Sequence, residues 1–231
     1  MPASRNPGFR VFARIERPPR ELVEALGRLE STCITDAMNR FGGMDANIRP
    51  AGPEMRCAGP AVTVRVPPGD NLMVYRAFEV ARPGDVLVIE SRGYTQVAQW
   101  GDLTSMIAKG LGLAGAVMDG SLRDLNGICE VGLPVFAKPV VVPNGALKDG
   151  PGEVNVPVAV GGVPVLPGDI IVADANGVVV VPRADAEVVL ERAKAVVAAE
   201  ARKIAEFGEG QYLSPDIGRA LAAKGCEIVE E

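Results

Sequence analysis

Three charged residues on either side of a glycine-rich segment have the types and spacing to do chemistry. Asp102 is followed, after twenty intervening residues, by the adjacent pair Arg123 and Asp124. Carboxylates are hard oxygen ligands, and those of Asp102 and Asp124 suit Mg²⁺ or Mn²⁺, bound directly or through water. The guanidinium of Arg123 can make a bidentate contact with a carboxylate or an enolate oxygen. The three residues together predict a divalent-metal site for a small 2-oxo acid, where a Lewis acid would stabilise a pyruvate-like enolate.

The same residues also have a purely structural interpretation. Asp102 could cap the N-terminus of a helix, a role worth about 1 kcal/mol. Arg123 and Asp124 could form an exposed ion pair in a loop, which contributes roughly 0–1 kcal/mol. Spacing alone favours these structural roles, because one pair of carboxylates so far apart in the sequence is weak support for a site.

A helix and a strand must position these residues. The helix would begin at Asp102 and end near Gly110, and a strand of small residues, 114–118, would follow and lead to Arg123. The apolar residues on one face of that helix are Leu103, Met106 and Ile107. Ligands of α/β proteins bind where strands end and helices start, and the first helical turn offers backbone N–H groups to a carboxylate.

The remaining patterns predict one α/β domain over residues 1–231. Residues 1–19, rich in proline and arginine, predict an N-terminal arm, and residues 20–183 predict an α/β core. Asn176-Gly177 between two apolar runs is typical of a β-hairpin. Residues 184–231 predict a charged amphipathic helix and a tail, and a helix of this kind often packs on a neighbouring subunit.

The absence of histidine narrows the possible chemistry. It removes histidine-activated nucleophiles, HExxH zinc sites and imidazole bases. The four cysteines, Cys33, Cys57, Cys129 and Cys226, are widely spaced, which argues against a structural zinc or a disulfide framework. Buried free thiols are therefore expected.

Charge and hydropathy argue against two kinds of partner, nucleic acids and membranes. A net charge of −5 with 4% aromatic residues argues against a nucleic-acid surface. The apolar runs are too short to cross a membrane, and the N-terminus lacks the apolar stretch of a signal peptide. A cytoplasmic location without a membrane partner is therefore expected.

Other candidate motifs carry less weight. Residues 110–115 superficially fit GxGxxG, but no strand leads into them, so helix termination and close packing explain their glycines better. Tyr94 and Gln96 precede the helix and could line a pocket or face solvent. Lys109 and Lys138 are expected at the surface, because a Schiff-base lysine needs a desolvated pocket.

The motif around the three charged residues resembles a known family. Its carriers are Gly-Asp-Leu, the later block GLAGAVMDGSLRD, and GLPVFA after it. They resemble the 4-hydroxy-4-methyl-2-oxoglutarate aldolase/ribonuclease E activity regulator A-like family, of the class II pyruvate aldolase type. The stretch GGVPVLPGDIIVADANGVVVVP is similar to a second block of that family, so the resemblance covers roughly residues 30–207. It implies an αββα sandwich similar to the swivelling phosphohistidine domain, with a C-terminal helix, assembled as a homotrimer or homohexamer.

The resemblance also implies a role for each residue of the motif. Asp124 would ligate Mg²⁺ or Mn²⁺, and Asp102 would hold a metal-bound water that can shuttle a proton. The residues implied to contact the substrate are Gly101, Leu103, Thr104 and Arg123. Among these, the two backbone N–H groups at the start of the helix would cradle the pyruvyl carboxylate, and the guanidinium would polarise the 2-oxo oxygen.

One further metal contact is implied from a neighbouring subunit. In the aldolase members a glutamate of the adjacent C-terminal helix approaches the metal through water. Glu200 is the first candidate for that role, and Glu206 and Glu191 are alternatives.

The family's reaction implies a function, and its other members imply an alternative. The reaction is retro-aldol cleavage of 4-hydroxy-2-oxo acids to pyruvate, with oxaloacetate decarboxylation through the same enolate. The alternative is a non-catalytic regulator that binds ribonuclease E or an RNA helicase. Such regulators tend to depart from the complete Asp…Arg-Asp pattern, which this chain keeps, so the enzyme is favoured.

Overall fold

The computed structural model describes residues 5–229, and a mixed sheet is the main feature of that range. The strands are β1 (Phe9–Val11), β2 (Arg49–Pro50), β3 (Cys57–Arg65), β4 (Val86–Glu90), β5 (Ala98–Trp100), β6 (Gly115–Met118), β7 (Ser121–Leu122), β8 (Val135–Ala137), β9 (Gly152–Val154), β10 (Val158–Val160), β11 (Val163–Val165), β12 (Ile170–Asp174) and β13 (Gly177–Val181). The helices are α1 (Arg20–Gly27), α2 (Ser31–Ala37), α3 (Leu72–Phe78), α4 (Asp102–Gly110), α5 (Leu125–Val131), α6 (Ala186–Gly208) and α7 (Pro215–Ala223).

Four parallel strands form the centre of the sheet. The order is β1-β9-β3-β4-β6-β8-β2, and β12 and β13 continue from β3. The pairs β3–β4, β4–β6 and β6–β8 are parallel, with α3, α4 and α5 in the successive connections. Their carboxyl ends therefore meet at one edge of the sheet, which is where α/β proteins bind ligands.

The core explains why these segments form strands. Residues Val86–Ile89 of β4 are fully buried, as expected for a parallel strand that is covered on both faces. The larger apolar cluster contains residues such as Leu87, Val117 and Phe136. A second cluster joins α1, α2, β12, β13 and the start of α6, and its fully buried members include Leu26 and Ile170.

Two predictions about local structure have clear outcomes. The hairpin prediction is confirmed, because β12 and β13 are antiparallel with Asp174 opposite Gly177. The N-terminal arm holds a strand that the sequence did not indicate, since β1 pairs in parallel with β9. The carboxylate of Glu153 accepts hydrogen bonds from Gly8 N at 3.2 Å and Arg10 Nε at 2.7 Å, which fixes that strand.

The chain divides into two compact units, Met1–Ala193 and Lys194–Glu231. The first unit contains the sheet and both apolar clusters. In the second unit, no residue that the structure describes is buried. A mixed α/β fold with a C-terminal helix is confirmed, whereas the likeness to the phosphohistidine domain and the single-domain organisation stay predictions. Within residues 5–229, none of the helices has the length and hydropathy needed to span a membrane.

Candidate functional site

A short pair of parallel strands brings the two halves of the charged motif together in space. β5 and β7 pair with Trp100 opposite Leu122, and Arg123 N donates to Trp100 O at 3.1 Å. Asp102 follows the end of β5 after one residue, and Arg123 follows the end of β7 directly. The two halves therefore leave the same edge of one small sheet side by side.

The start of α4 is fixed by the hydroxyl of a buried threonine. Thr104 Oγ1 accepts a hydrogen bond from Gly101 N at 2.9 Å and donates to Gly101 O at 2.8 Å. Ser105 Oγ also donates to Gly101 O and accepts from Trp100 Nε1 at 2.7 Å. This arrangement fixes the position of the first helical turn, whose N–H groups point away from the helix.

Asp102 is not the helix cap that its structural interpretation suggested. Gly101 occupies the N-cap position, and Asp102 is the first residue of α4. Its Oδ1 accepts a hydrogen bond from Leu103 N at 2.6 Å. A Cβ on Gly127 of α5 would lie 2.8 Å from the Asp102 Cβ, so α5 packs closely against this side chain.

Arg123 and Asp124 form an ion pair beside Gly101. Arg123 Nε lies 3.1 Å from Asp124 Oδ2, and both side chains are 42% exposed. Asp124 has φ +55°, a left-handed conformation that aspartate tolerates better than most residues. A Cβ on Gly101 would lie 2.8 Å from Asp124 Oδ2, and a Cβ on Gly145 would overlap the Arg123 guanidinium. These two glycines therefore leave the space that the ion pair occupies.

A cavity of about 310 Å³ lies at this point and is large enough for a small acid. It is lined by Asn71, Tyr75, the stretch 98–104, Arg123, Gly145, Ala146 and Lys148. Of the lining side chains, Arg123 and Lys148 are cationic and Asp102 is anionic. Asp124 does not line the cavity itself, but its Oδ2 lies beside two residues that do, Gly101 and Arg123.

Part of this cavity could not be anticipated from the sequence. Asn71, which caps α3, Tyr75 in the middle of that helix, and Lys148 lie on its wall. Lys148 Nζ is 5.3 Å from the Tyr75 ring centroid. No motif surrounds these residues, and only a turn-like Pro-Asn-Gly precedes Lys148 by a few positions. Tyr94 and Gln96 are not among the lining residues, and Gln96 is exposed.

The acidic residues present fit a hydrated Mg²⁺ or Mn²⁺ better than a fully enclosed ion. Within residues 5–229 there is no cluster of three or more metal-ligating Asp, Glu, Cys or His side chains. Asp102 and Asp124 together offer two partly exposed carboxylates. Mg²⁺ typically keeps several waters and binds one or two carboxylates plus oxygens of the substrate, so this donor set suits it. Asp119, the next acidic residue, has a structural use, since it accepts hydrogen bonds from Ser91 and Gly93.

The remaining candidate residues lie elsewhere. Glu200 and Glu206 belong to the second compact unit and Glu191 to the first, so their approach to a neighbouring subunit's metal stays a prediction. Lys109 is exposed, as predicted, whereas Lys138 is partly buried and donates to Gly93 O at 3.2 Å.

The glycines of residues 110–115 have the structural roles that were predicted for them. Gly110 is the last residue of α4, and Gly112 adopts φ +74°. A Cβ on Gly115 would lie 2.8 Å from Cys57 Sγ and Pro134 O. Helix termination and close packing therefore account for this GxGxxG-like run.

Fold and site together define a class of protein: an α/β protein with a small, charged cavity where parallel strands end. Residues 31–180 match the family described as RraA-like: Aldolase/RraA. The chain belongs to this RraA-like family, and the family assignment made from the sequence motif is confirmed.

Relatives of the chain carry two kinds of name. A putative 4-hydroxy-4-methyl-2-oxoglutarate aldolase of Halalkalibacterium halodurans is 42% identical over 150 residues, 65% of this chain and 71% of that protein. The 4-hydroxy-4-methyl-2-oxoglutarate aldolase of Thermus thermophilus is 36% identical over 128 residues, 55% of this chain and 77% of that protein. The crystal structure of Streptomyces coelicolor RraAS2, described as an unusual member of the RNase ES inhibitor RraA protein family, is 31% identical with a TM-score of 0.73. That match covers 85% of this chain and 99% of RraAS2.

Proposed function

We propose that this chain is a divalent-metal-dependent lyase that cleaves 4-hydroxy-2-oxo acids, such as 4-hydroxy-4-methyl-2-oxoglutarate, to pyruvate by a retro-aldol reaction. Oxaloacetate decarboxylation would use the same enolate. The observation that carries the proposal is the β5–β7 pair, which sets the Asp102 and Arg123-Asp124 halves of the motif beside one cavity. The aldolase names of two relatives support it.

The metal would be held by the two carboxylates of the motif. Asp124 would bind Mg²⁺ or Mn²⁺ directly, and Asp102 would hold a water molecule beside it. When bound, the ion supplies Lewis acidity at the 2-oxo group. Without a histidine in the chain, the water on Asp102 is the group that takes up and returns a proton at the substrate.

The chain's own groups bind and orient the 2-oxo acid. Arg123 contacts the 2-oxo oxygen, where its fixed positive charge stabilises the negative charge of the enolate. Gly101 and the first-turn N–H groups of Leu103 and Thr104 bind the pyruvyl carboxylate. Leu103 N now donates to the Asp102 carboxylate at 2.6 Å, so binding would exchange one carboxylate acceptor for another.

An adjacent subunit completes the site in this proposal. Leu103, Met106 and Ile107 form an exposed apolar face on α4, next to the cavity. Such a face marks an interaction surface when it is contiguous. We infer a homotrimer or homohexamer in which a neighbouring copy covers this face and brings Glu200 to the metal through water.

Pyruvate release from a substrate panel tests the lyase. The purified protein would be incubated with oxaloacetate and branched 4-hydroxy-2-oxo acids in Mg²⁺, in Mn²⁺ and in excess chelator. We expect metal-dependent pyruvate release that falls at least about a hundredfold in Asp124→Ala, because the metal's contribution is several kcal/mol. Asp124→Asn should fall equally while keeping a residue that tolerates the left-handed backbone.

A charge-matched control separates the metal ligand from a general loss of charge. Asp45→Asn changes an exposed carboxylate that accepts a local hydrogen bond from Asn47, and its activity should equal that of the parent protein. Full activity in Asp124→Asn would sink the metal assignment.

A non-catalytic regulator is the second candidate, and the likeness to RraAS2 favours it. Ribonuclease E cleavage of an RNA substrate, measured with and without the chain, distinguishes the two. Inhibition together with no pyruvate release across the whole panel would replace the lyase with the regulator.

A further inference from the structure

A strap, residues 144–150, forms one wall of the cavity. Ala98 N donates to Asn144 O at 2.8 Å, and Ala146 N donates to Ala98 O at 3.0 Å, so the strap begins as an added partner of β5. It contributes Gly145, Ala146 and Lys148 to the cavity lining. Gly145 lies directly against the Arg123 guanidinium. The end of the strap beside Arg123 is therefore held by β5, whereas Lys148 lies further along it, towards residues 149–150.

The start of α3 forms the adjoining wall and is joined to the strap through backbone atoms. Asn71 N donates to Leu147 O, and Leu147 N donates to Gly69 O, both at 2.9 Å. Asn71 and Tyr75 line the cavity from this side. Asn71 is buried, and its Oδ1 has no hydrogen-bond partner among the described residues, although its Nδ2 donates to Gln99 O at 3.1 Å.

Asp70 holds these two segments together with one carboxylate. Its side chain accepts three backbone hydrogen bonds although the residue is only 5% exposed. Oδ1 accepts from Leu72 N at 2.8 Å in α3, and Oδ2 accepts from Asp149 N at 2.7 Å and Gly150 N at 3.0 Å in the strap. Each oxygen thus serves one segment, and hydrogen bonds to a buried charged acceptor are stronger than neutral ones.

We propose that Asp70 is a positioning residue that sets the strap and the start of α3 at the spacing needed to bind the substrate. Asp70 does not line the cavity, so it acts only through Asn71, Tyr75 and Lys148. This inference rests on the proposed function for the identity of the ligand. If this wall is no longer held in place, it must be ordered when the ligand binds, and that cost lowers the affinity.

The test replaces Asp70 and, as a control, a second buried carboxylate, Asp169. Asparagine at position 70 keeps one acceptor oxygen, so Asp70→Asn can serve one segment but not both. Asp169→Asn is the control, because Asp169 is 6% exposed and also joins two segments, accepting from Leu166 N at 2.8 Å and Arg183 N at 3.0 Å. It lies where β12 begins, beside Ala61, and does not line the cavity.

The expected result is a change in KM without a matching change in kcat. In Asp70→Asn we expect KM for the cleaved 2-oxo acid to rise about tenfold while kcat stays within about threefold, since the wall binds ground and transition states alike. Asp169→Asn should keep the parental KM. Amide hydrogen exchange at Asp149 and Gly150 should accelerate only in the Asp70 variant.

A second variant covers the case in which Asp70→Asn does not fold. Asp70→Ser can still accept the local bond from Leu72 N, but its shorter side chain cannot reach the strap. It buries no charge, and the same KM change is expected. A parental KM in a folded Asp70 variant, or a fall in kcat alone, would overturn the proposal.

Binding of an uncleavable probe separates this inference from the lyase. 2-Oxoglutarate lacks the 4-hydroxyl group, and its Kd measured by calorimetry should rise about tenfold in Asp70→Asn, as KM does. If the parent binds 2-oxoglutarate but the panel yields no pyruvate, the lyase is rejected and the positioning role of Asp70 is not. Equal Kd values in parent and variant, or no binding by the parent, would reject the positioning role of Asp70.

Discussion

At the scale of single residues, the sequence indicated the charged motif and the start of α4, but not the cavity wall that contains Asn71, Tyr75 and Lys148. Asp102, Arg123 and Asp124 could be selected because their types suit a metal and an anion. Lys148 could not be selected, because a lysine in an irregular segment carries no periodicity and no motif. The role of Gly145 was also hidden, since it depends on a guanidinium that approaches from a distant part of the chain.

Replacing Arg123 with lysine tests whether geometry or charge matters at the guanidinium. Arg123→Lys keeps the positive charge but loses the planar fork and the Nε contact with Asp124, so kcat/KM for pyruvate release should fall about a hundredfold. Arg56→Lys is the control, because Arg56 makes comparable contacts with Glu30 and Leu29 O outside the cavity. Parental kcat/KM in Arg123→Lys would show that charge alone suffices.

Thiol reactivity is a second residue-scale prediction. Cys33 and Cys57 are buried as expected, whereas Cys129 and Cys226 are exposed, which sequence spacing did not indicate. Burial raises the pKa of the Cys57 thiol to about 12, so almost none of it is thiolate at pH 8. A chromogenic disulfide reagent at pH 8 should react fast with two thiols and with the others only after unfolding. Rapid reaction of all four would contradict the burial.

At the scale of elements, long periodic segments were predictable and very short strands were not. The predicted strand at 114–118 and the helix ending at Gly110 correspond to β6 and α4 within a residue. β5 and β7 have only three and two residues, too few for alternation to appear, yet their pairing assembles the motif. The apolar face of α4 is also exposed, because burial depends on packing partners that periodicity does not reveal.

Glu153, whose carboxylate holds β1 in place, makes the stability of the protein depend on pH in the acidic range. Burial acts to raise the pKa of Glu153, but the Gly8 N–H and the guanidinium groups of Arg10 and Arg65 outweigh it and hold that pKa below its ordinary 4.5. A lowered carboxyl pKa contributes stability above the unfolded-state value, and this is lost as pH falls through the folded-state value. Glu153→Gln should therefore lower the free energy of unfolding by about 2 kcal/mol at pH 7.

Urea unfolding at several pH values checks this anchor. The difference between Glu153→Gln and the parent should shrink as pH is lowered from 5 towards 3, because the parental carboxylate becomes protonated. Glu79→Gln, which removes an exposed partner of Arg76, should change unfolding by less than about 0.5 kcal/mol. A Glu153 difference that stays constant with pH would exclude the ionic origin.

At the scale of the whole molecule, a single chain leaves several large apolar side chains exposed to solvent. Leu103, Met106 and Ile107 are exposed on α4, and Leu213 and Ile217 are exposed in the second compact unit. The strand order of the mixed sheet could not be predicted from sequence patterns, because β1 pairs with a strand more than a hundred residues later. The amphipathic C-terminal helix suggested contact with a neighbouring subunit, and the family resemblance supplied the expectation of a trimer or hexamer.

Charging the α4 face tests the assembly. Met106 is outside the cavity lining, so Met106→Glu should leave the local site intact while it disfavours burial of this face between subunits. We expect sedimentation to shift from a trimer or hexamer towards the monomer, and specific activity to fall with it. Thr32→Glu, at an exposed position of α2, should change neither. An unchanged assembly in the Met106 variant would remove α4 from the interface.

The long strand β3 also has a consequence for how the chain is made. Its second half, from Ala61, pairs with β4, which leaves the ribosome soon afterwards, but Cys57–Pro60 pair with β12 and must wait until Ala173 has been synthesised. During that interval the nascent chain presents an unpaired strand edge and the uncovered apolar side of α1. Polypeptides released before β12 should therefore depend on chaperones and be poorly soluble, even though every residue of the charged motif has already been translated.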